Sequence, residues 1–396
     1  MKRPLLLLLA ALAPPVFGGT PQAAADGPLP DALLASDGTR VNSAGQWEKV
    51  RRPELLEVFA SEIYGRVPEA ARKAAPRFSV VESGPVFNGA AERRVVRATV
   101  DGPGGGLSFD FQLFLPRGVR PKLCFLHIVI GANGREVLAR AANQPHERWP
   151  VDKIVARGFA TAAFDSWDLA LDDKAKAFSS GVFPVFGPFA APGGERPADA
   201  WGAIAAWAWG ASRVADYLAG ADGMRGVPLA VIGHSRGGKT ALWCGACDTR
   251  FALVISNNSG STGAALARGK TGESVRKINT SFPYWFAGNY KKYNDAEDKL
   301  PVDQHELLGL VAPRRVYVAS ATADAWADPR NEFRACEAAS AVFRLHGLGG
   351  VGEGQVAAGG WRHDGAIGFH LREGKHSITV WDWERYMDYA ERWFGQ

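Results

Sequence analysis

The seven residues Gly233-His234-Ser235-Arg236-Gly237-Gly238-Lys239 have the types and spacing for covalent chemistry. A serine hydroxyl is a weak nucleophile until a base takes its proton and donors receive the oxyanion it creates. Gly-x-Ser-x-Gly provides the backbone for this. Small neighbours let a tight turn hold Ser235 in a strained conformation, with its hydroxyl above a sheet edge and the next amide facing the incoming carbonyl. The flanks fit that reading. The apolar run 228–232 predicts a strand, and the small-residue run 240–244 predicts a helix.

The chemistry then needs a base and an acid that orients it, in the chain order Ser, acid, His. Of eight histidines, His376 is the last and stands in the polar stretch Arg372-Glu373-Gly374-Lys375-His376-Ser377, ahead of a final helix. That is where the base belongs; His370 is its nearest rival and His363 the next. His234 inside the turn and His127 in an apolar strand read as structural. For the acid, Thr322-Ala323-Asp324-Ala325-Trp326-Ala327-Asp328-Pro329 offers two carboxylates just past a predicted strand. Asp324 comes sooner and is favoured, while Asp328 before Pro329 also suits a turn or a cap. A metal site competes for the same side chains, but no His-x-x-x-His or carboxylate cluster has ligand spacing. Neither a metal nor an organic cofactor is expected.

These residues need a scaffold. The spacing of Leu55, Leu56, Phe59 and Ile63 predicts a helix over 47–64, stopped at Tyr64-Gly65-Arg66-Val67-Pro68. Alternating patterns at 78–82, 93–100 and 107–115 predict antiparallel strands separated by Gly/Pro turns. The unbroken apolar run 123–130 reads as a strand buried on both faces, the mark of a parallel sheet. Strands at 159–164, 228–232, 251–256, 315–319 and 342–345 then alternate with helices at 198–218, 304–310, 332–339 and 383–394. This predicts an α/β-hydrolase: a three-layer sandwich with a mostly parallel, doubly wound central sheet and antiparallel N-terminal strands. Without a linker or repeat, residues 26–396 read as one catalytic domain.

Met1-Lys2-Arg3-Pro4, an apolar run at 5–13 and Ala23-Ala24-Ala25 describe an export signal over 1–25. The run is too short to span a bilayer, so the expectation is a soluble, secreted or periplasmic monomer without a membrane partner. A hydrophobic content of 46% and 13 Trp indicate a large core. The net charge of +5 is dispersed, which argues against nucleic acid. Cys244 and Cys247 are spaced as Cys-x-x-Cys, a redox or metal signature, yet lack a second pair and read as small core residues; Cys124 and Cys336 read as core too.

The set as a whole resembles the bacterial glucuronoyl esterases of carbohydrate esterase family fifteen. Matching pieces run almost end to end: Trp47 with Arg51-Arg52-Pro53-Glu54, Tyr64-Gly65-Arg66, the Gly-x-Ser-Arg-x-Gly-Lys turn, Asn258-Ser259-Gly260, Gly272-Glu273-Ser274, Ile278-Asn279-Thr280-Ser281-Phe282-Pro283, Leu300-Pro301-Val302-Asp303-Gln304-His305, Trp326-Ala327-Asp328-Pro329 and the segment ending at His376. The resemblance implies Ser235 as nucleophile, His376 as base and Arg236 as oxyanion donor. It also implies Lys239, Glu273 and Trp326 as contacts of the uronic sugar; taken alone, Lys239 reads as a solvated helix residue and Trp326 as a packed aromatic. Many members carry a catalytic Glu where this chain has Asn258, which cannot hold charge, so the acid moves to the later loop and Asp324 gains weight. Tyr284 and Ser261-Thr262 are further departures.

The implied substrate is an ester joining (4-O-methyl-)glucuronic acid of glucuronoxylan to a lignin-type alcohol. The competing readings are an acetyl-xylan or other carbohydrate deacetylase on the same fold, and a glycan-binding protein that has lost catalysis. Retention of both Ser235 and His376 argues against the latter.

Overall fold

The computed structural model describes residues 27–187 and 196–395; the export signal expected over 1–25 lies outside them. A single ten-stranded sheet organises the rest. Its strands are β1 (Arg77–Val86), β2 (Ala91–Gly102), β3 (Gly105–Pro116), β4 (Cys124–Val129), β5 (Ala160–Asp165), β6 (Leu229–His234), β7 (Phe251–Asn257), β8 (Arg315–Ala321), β9 (Trp361–Arg362) and β10 (Ile367–Arg372), in the spatial order β1-β2-β3-β5-β4-β6-β7-β8-β10-β9. β1, β2 and β3 meander antiparallel. The run from β5 to β10 is parallel throughout. This is the α/β-hydrolase architecture.

The reason is in the strand composition. Every residue of β4 and β5 is buried, because helices cover both faces and neither can be polar. Alternate residues feed two separate cores. Leu229 and Val231 of β6 join the cluster containing the helix Arg236–Cys247, whereas Ala230 and Ile232 join the one containing Trp149 and Trp383. The parallel strands all end on one edge, the place where open α/β sheets bind ligands.

Before the sheet, residues 44–64 run as one helical stretch of alternating α and π turns, burying Leu55, Phe59 and Ile63. Two expectations fail here. The segment 342–345, read as a strand, is the end of the helix Pro329–Leu345. Val342 and Phe343 extend the buried stripe begun by Ala335 and Ala339, and four apolar residues alone do not distinguish a strand from a helix end. The strand at that place is β10, masked in the sequence by its Gly, His and Arg. Cys247 is the other correction: Cys124, Cys244 and Cys336 are buried, but Cys247 is exposed, and all four are free thiols.

Candidate active site

At the end of β6 the chain turns so tightly that a Cβ on Gly233 would lie 2.1 Å from the Gly237 carbonyl oxygen. Between them Ser235 takes φ 59° and ψ −125°, a sparsely populated conformation that costs on the order of 1–3 kcal/mol and is kept only where its surroundings enforce it. One restraint is the Ser235 amide, which donates to Asn257 O at 2.8 Å. The helix Arg236–Cys247 starts immediately after, leaving its first amides at the sheet edge.

His376 lies in the loop between β10 and the final helix Val380–Phe394. That loop is stitched to the one after β8. The Thr322 amide donates to Arg372 O at 2.9 Å, the Ala323 amide to Gly374 O at 2.8 Å, and the Gly374 amide to Thr322 Oγ1 at 3.1 Å. The stitching brings His376 Nδ1 to 2.6 Å from Asp324 Oδ2. Asn258, at φ 48°, adds its side-chain amide to the same oxygen at 2.8 Å. Burial pushes the Asp324 carboxyl up, but hydrogen bonds from His376 and Asn258 and the imidazole's charge outweigh it, leaving it below the ordinary aspartate range. Asp328 does something else: it caps the helix Pro329–Leu345 by accepting from the Asn331 amide and holds the Thr271 amide at 2.8 Å.

Ser235, Arg236 and His376 share one cleft of about 340 Å³, floored by the ends of β4 and β6. Arg236 Nε lies 2.6 Å from Asp172 Oδ2. Tyr284 OH and Trp285 Nε1 both donate to the other Asp172 oxygen at 2.7 Å, so Tyr284 helps fix the carboxylate that fixes Arg236. His234 lines the cleft too, with its ring centroid 4.6 Å from that of His376. Its Nδ1 is 2.6 Å from Asn257 Oδ1.

The three residues expected to touch sugar stand outside this lining. Lys239 is buried, donates to Ser259 O at 2.6 Å and to Ser261 O, and lies 3.6 Å from Glu273. Burial lowers its ammonium, against the pull of Glu273. Trp326 is exposed, with the Lys277 ammonium 5.1 Å from its ring centroid. His370 and His363 do not reach His376's position: His370 is buried on Asp382 at 2.9 Å, and His363 meets Tyr317 OH at 2.8 Å.

Sequence reasoning missed two supports. Asp172 lies in a long loop with no spacing signal. Glu332, fully buried, accepts from the Gly260 amide at 2.9 Å and from Ser320 Oγ, tying the loop that carries Asn258 to the end of β8. Its position before helical apolar residues gave only a helix signal. Burial raises its carboxyl to about 7.

Residues 146–347 match the family model described as glucuronyl esterase, fungi. A carbohydrate esterase from an unknown prokaryotic organism is 38% identical over 389 residues, covering 92% of this chain and 89% of the relative. A 4-O-methyl-glucuronoyl methylesterase 1 of Wolfiporia cocos is 28% identical over 87% of this chain and 81% of its own. The solved glucuronoyl esterase from Solibacter usitatus is 35% identical and superposes with a TM-score of 0.83, covering 93% of this chain and 99% of that one.

Proposed function

The chain belongs to the glucuronoyl esterases of carbohydrate esterase family fifteen, a carboxylic ester hydrolase acting on 4-O-methyl-glucuronoyl esters, and we propose that it cleaves the ester between glucuronoxylan and lignin-type alcohols with Ser235, His376 and Asp324. The observation that carries the assignment is the strained Ser235 sharing a cleft with an imidazole whose Nδ1 is held by a buried carboxylate at 2.6 Å. Because Asp324 occupies Nδ1, the free ring nitrogen of His376 is Nε2, the one that takes the Ser235 proton.

In this scheme Ser235 Oγ attacks the uronate carbonyl carbon as its proton passes to His376. The amides at the start of the helix Arg236–Cys247 and the guanidinium of Arg236 receive the oxyanion, each donor worth about 3 kcal/mol. Asp172 holds that guanidinium in place. The imidazolium then protonates the departing alcohol, leaving a glucuronoyl-serine. Water, deprotonated by His376, hydrolyses it to free glucuronate. Asp324 keeps the imidazole oriented and balances its charge in both halves. Lys239, Glu273 and Trp326, on the β7–β8 side of Ser235, are the proposed sugar contacts.

The export signal expected over 1–25 supports a secreted or periplasmic enzyme; among the described residues no helix is long and apolar enough to cross a membrane. Glucuronic acid release from benzyl glucuronate tests the reading. We expect turnover by the wild type and a loss of at least about 10⁴-fold in Ser235→Ala. A wild type that hydrolyses aryl acetate but not the uronate ester overturns it in favour of a deacetylase.

A further inference from the structure

The carboxyl edge of the sheet has two unlike sides about Ser235. On the β7–β8 side Lys239, Glu273, Glu332 and Asp324 are buried and partnered by protein side chains or backbone. On the β4–β5 side polar groups line the cleft without partners. His127, only 4% exposed, leaves Nδ1 with no hydrogen-bond partner in the protein, and Trp167 Nε1 is buried in the same condition. Arg148 is half-buried in the same lining, and among the described residues no carboxylate pairs with its guanidinium. Buried polar groups are normally satisfied, so two such orphans beside a nucleophile, with an unpaired guanidinium next to them, mark a place meant for another molecule's polar atoms.

The tautomers narrow what that molecule is. Asn257 donates its amide nitrogen to Tyr386 OH at 2.7 Å, which leaves its oxygen for His234 Nδ1. His234 therefore carries its proton on Nδ1 and has an accepting Nε2. Burial and the charge of Arg148 hold His127 near 3, and burial, then the charge of His376, holds His234 near 3, so both rings stay neutral. The cleft thus combines a cationic donor (Arg148) and an indole donor (Trp167) with one accepting imidazole nitrogen, Nε2 of His234. A hydroxyl satisfies both kinds at once, whereas a carboxylate offers no proton to an accepting imidazole. The remaining walls, Val129, Ile130, Val137 and Ile378, are aliphatic, which suits an aryl ring.

We infer that the β4-side cleft is the leaving-alcohol subsite and selects aryl alcohols bearing a free phenolic hydroxyl, which accepts from Arg148 and donates to a neutral imidazole of the cleft. The inference rests on the glucuronoyl reading and adds a specificity residue to it. The ester then lies across the sheet edge, its acyl sugar toward β7 and β8 and its alcohol toward β4 and β5.

The test compares kcat/KM for the 3-phenylpropyl, 3-(4-hydroxyphenyl)propyl and 3-(4-carboxyphenyl)propyl esters of glucuronic acid. The wild type should prefer the phenolic over the plain ester by at least about fivefold, the worth of one hydrogen bond. In Arg148→Met that ratio should collapse toward one, and Arg148→Lys should restore part of it. Being taken within each variant, the ratio is insensitive to lost folding yield. A ratio of one in the wild type, a ratio unchanged in Arg148→Met, or preference for the carboxylate ester overturns the inference. Should the wild type hydrolyse none of the glucuronate esters, the family-level reading of the substrate fails instead. Binding of 3-(4-hydroxyphenyl)propanol against 3-phenylpropanol, followed by NMR in the wild type and Arg148→Met, then decides the subsite: tighter binding of the phenol, lost in the variant, sustains it, and equal binding refutes it.

Discussion

Two histidine–aspartate pairs stand at the end of β10, and they differ in almost everything except their chemistry. His376 meets Asp324 at 2.6 Å with its side chain 41% exposed at the cleft. His370 meets Asp382 at 2.9 Å with both side chains fully buried. Both carboxyls are subject to burial that pushes them up, and both end below the ordinary range because their histidines donate to them. The divergence lies in the other ring nitrogen. Tyr317 OH sits 3.2 Å from His370 Nδ1, so both nitrogens of that ring are occupied. The ring of His376 has one nitrogen left and a cleft to use it in. Pairing with a carboxylate is thus no sign of catalysis; a vacant nitrogen with access to substrate is.

The buried pair has its own task. Asp382 also binds Arg372 Nε at 3.1 Å, and Arg372 clasps the carbonyls of Glu373, Lys375 and Ser377 at 2.7–3.1 Å. The loop that presents His376 is held from beneath by this cluster. In the proposed scheme one pair reacts and the other fixes its position.

The contrast can be broken in order of size. His376→Ala should lower kcat on benzyl glucuronate by at least about 10⁴-fold with little change in Tm. His370→Ala should do the reverse. Removing a buried partner of Asp382 and Tyr317 costs a few kcal/mol of stability, read as a fall in Tm, while folded protein retains kcat within about tenfold. A smaller effect concerns pH. A carboxyl held low in the folded state contributes stability that is present above the ordinary aspartate pKa of about 4 and is lost as pH falls through the folded value. Asp382→Asn should therefore remove part of the acid-side slope of stability. Glu332, raised to about 7, has the opposite sign: stability falls as pH rises from its ordinary value near 4.5 to about 7, and Glu332→Gln should flatten that segment in denaturant titrations at stepped pH. The smallest change is Asn258→Ala, which withdraws one hydrogen bond from Asp324 and should lower kcat about three- to tenfold.

How much of this was legible depended on whether the signal was local. The turn around Ser235 declares itself because its strain needs glycines at fixed offsets. Asp324 and Asp328 stand four residues apart on one loop, and sequence could favour one but not choose; the difference is that Asp328 turns back to cap a helix. His370 and His376 posed the same problem, and β10 escaped notice because its Gly, His and Arg are buried by long-range pairing that leaves no periodic trace. Asp172 and Glu332 act through contacts made only when distant loops converge, and Arg148 reaches the cleft only through that same convergence, so no spacing rule finds them.

The central claim is that the Asp324 pair, not the Asp382 pair, drives the ester chemistry. The most direct measurement is kcat on benzyl glucuronate for Asp324→Asn and Asp382→Asn, each normalised to folded protein. The account predicts a loss of about 10³-fold or more in Asp324→Asn with near-native Tm, and a lowered Tm with kcat within about tenfold in Asp382→Asn. Full activity in folded Asp324→Asn, or a comparable collapse of kcat in folded Asp382→Asn, would contradict it.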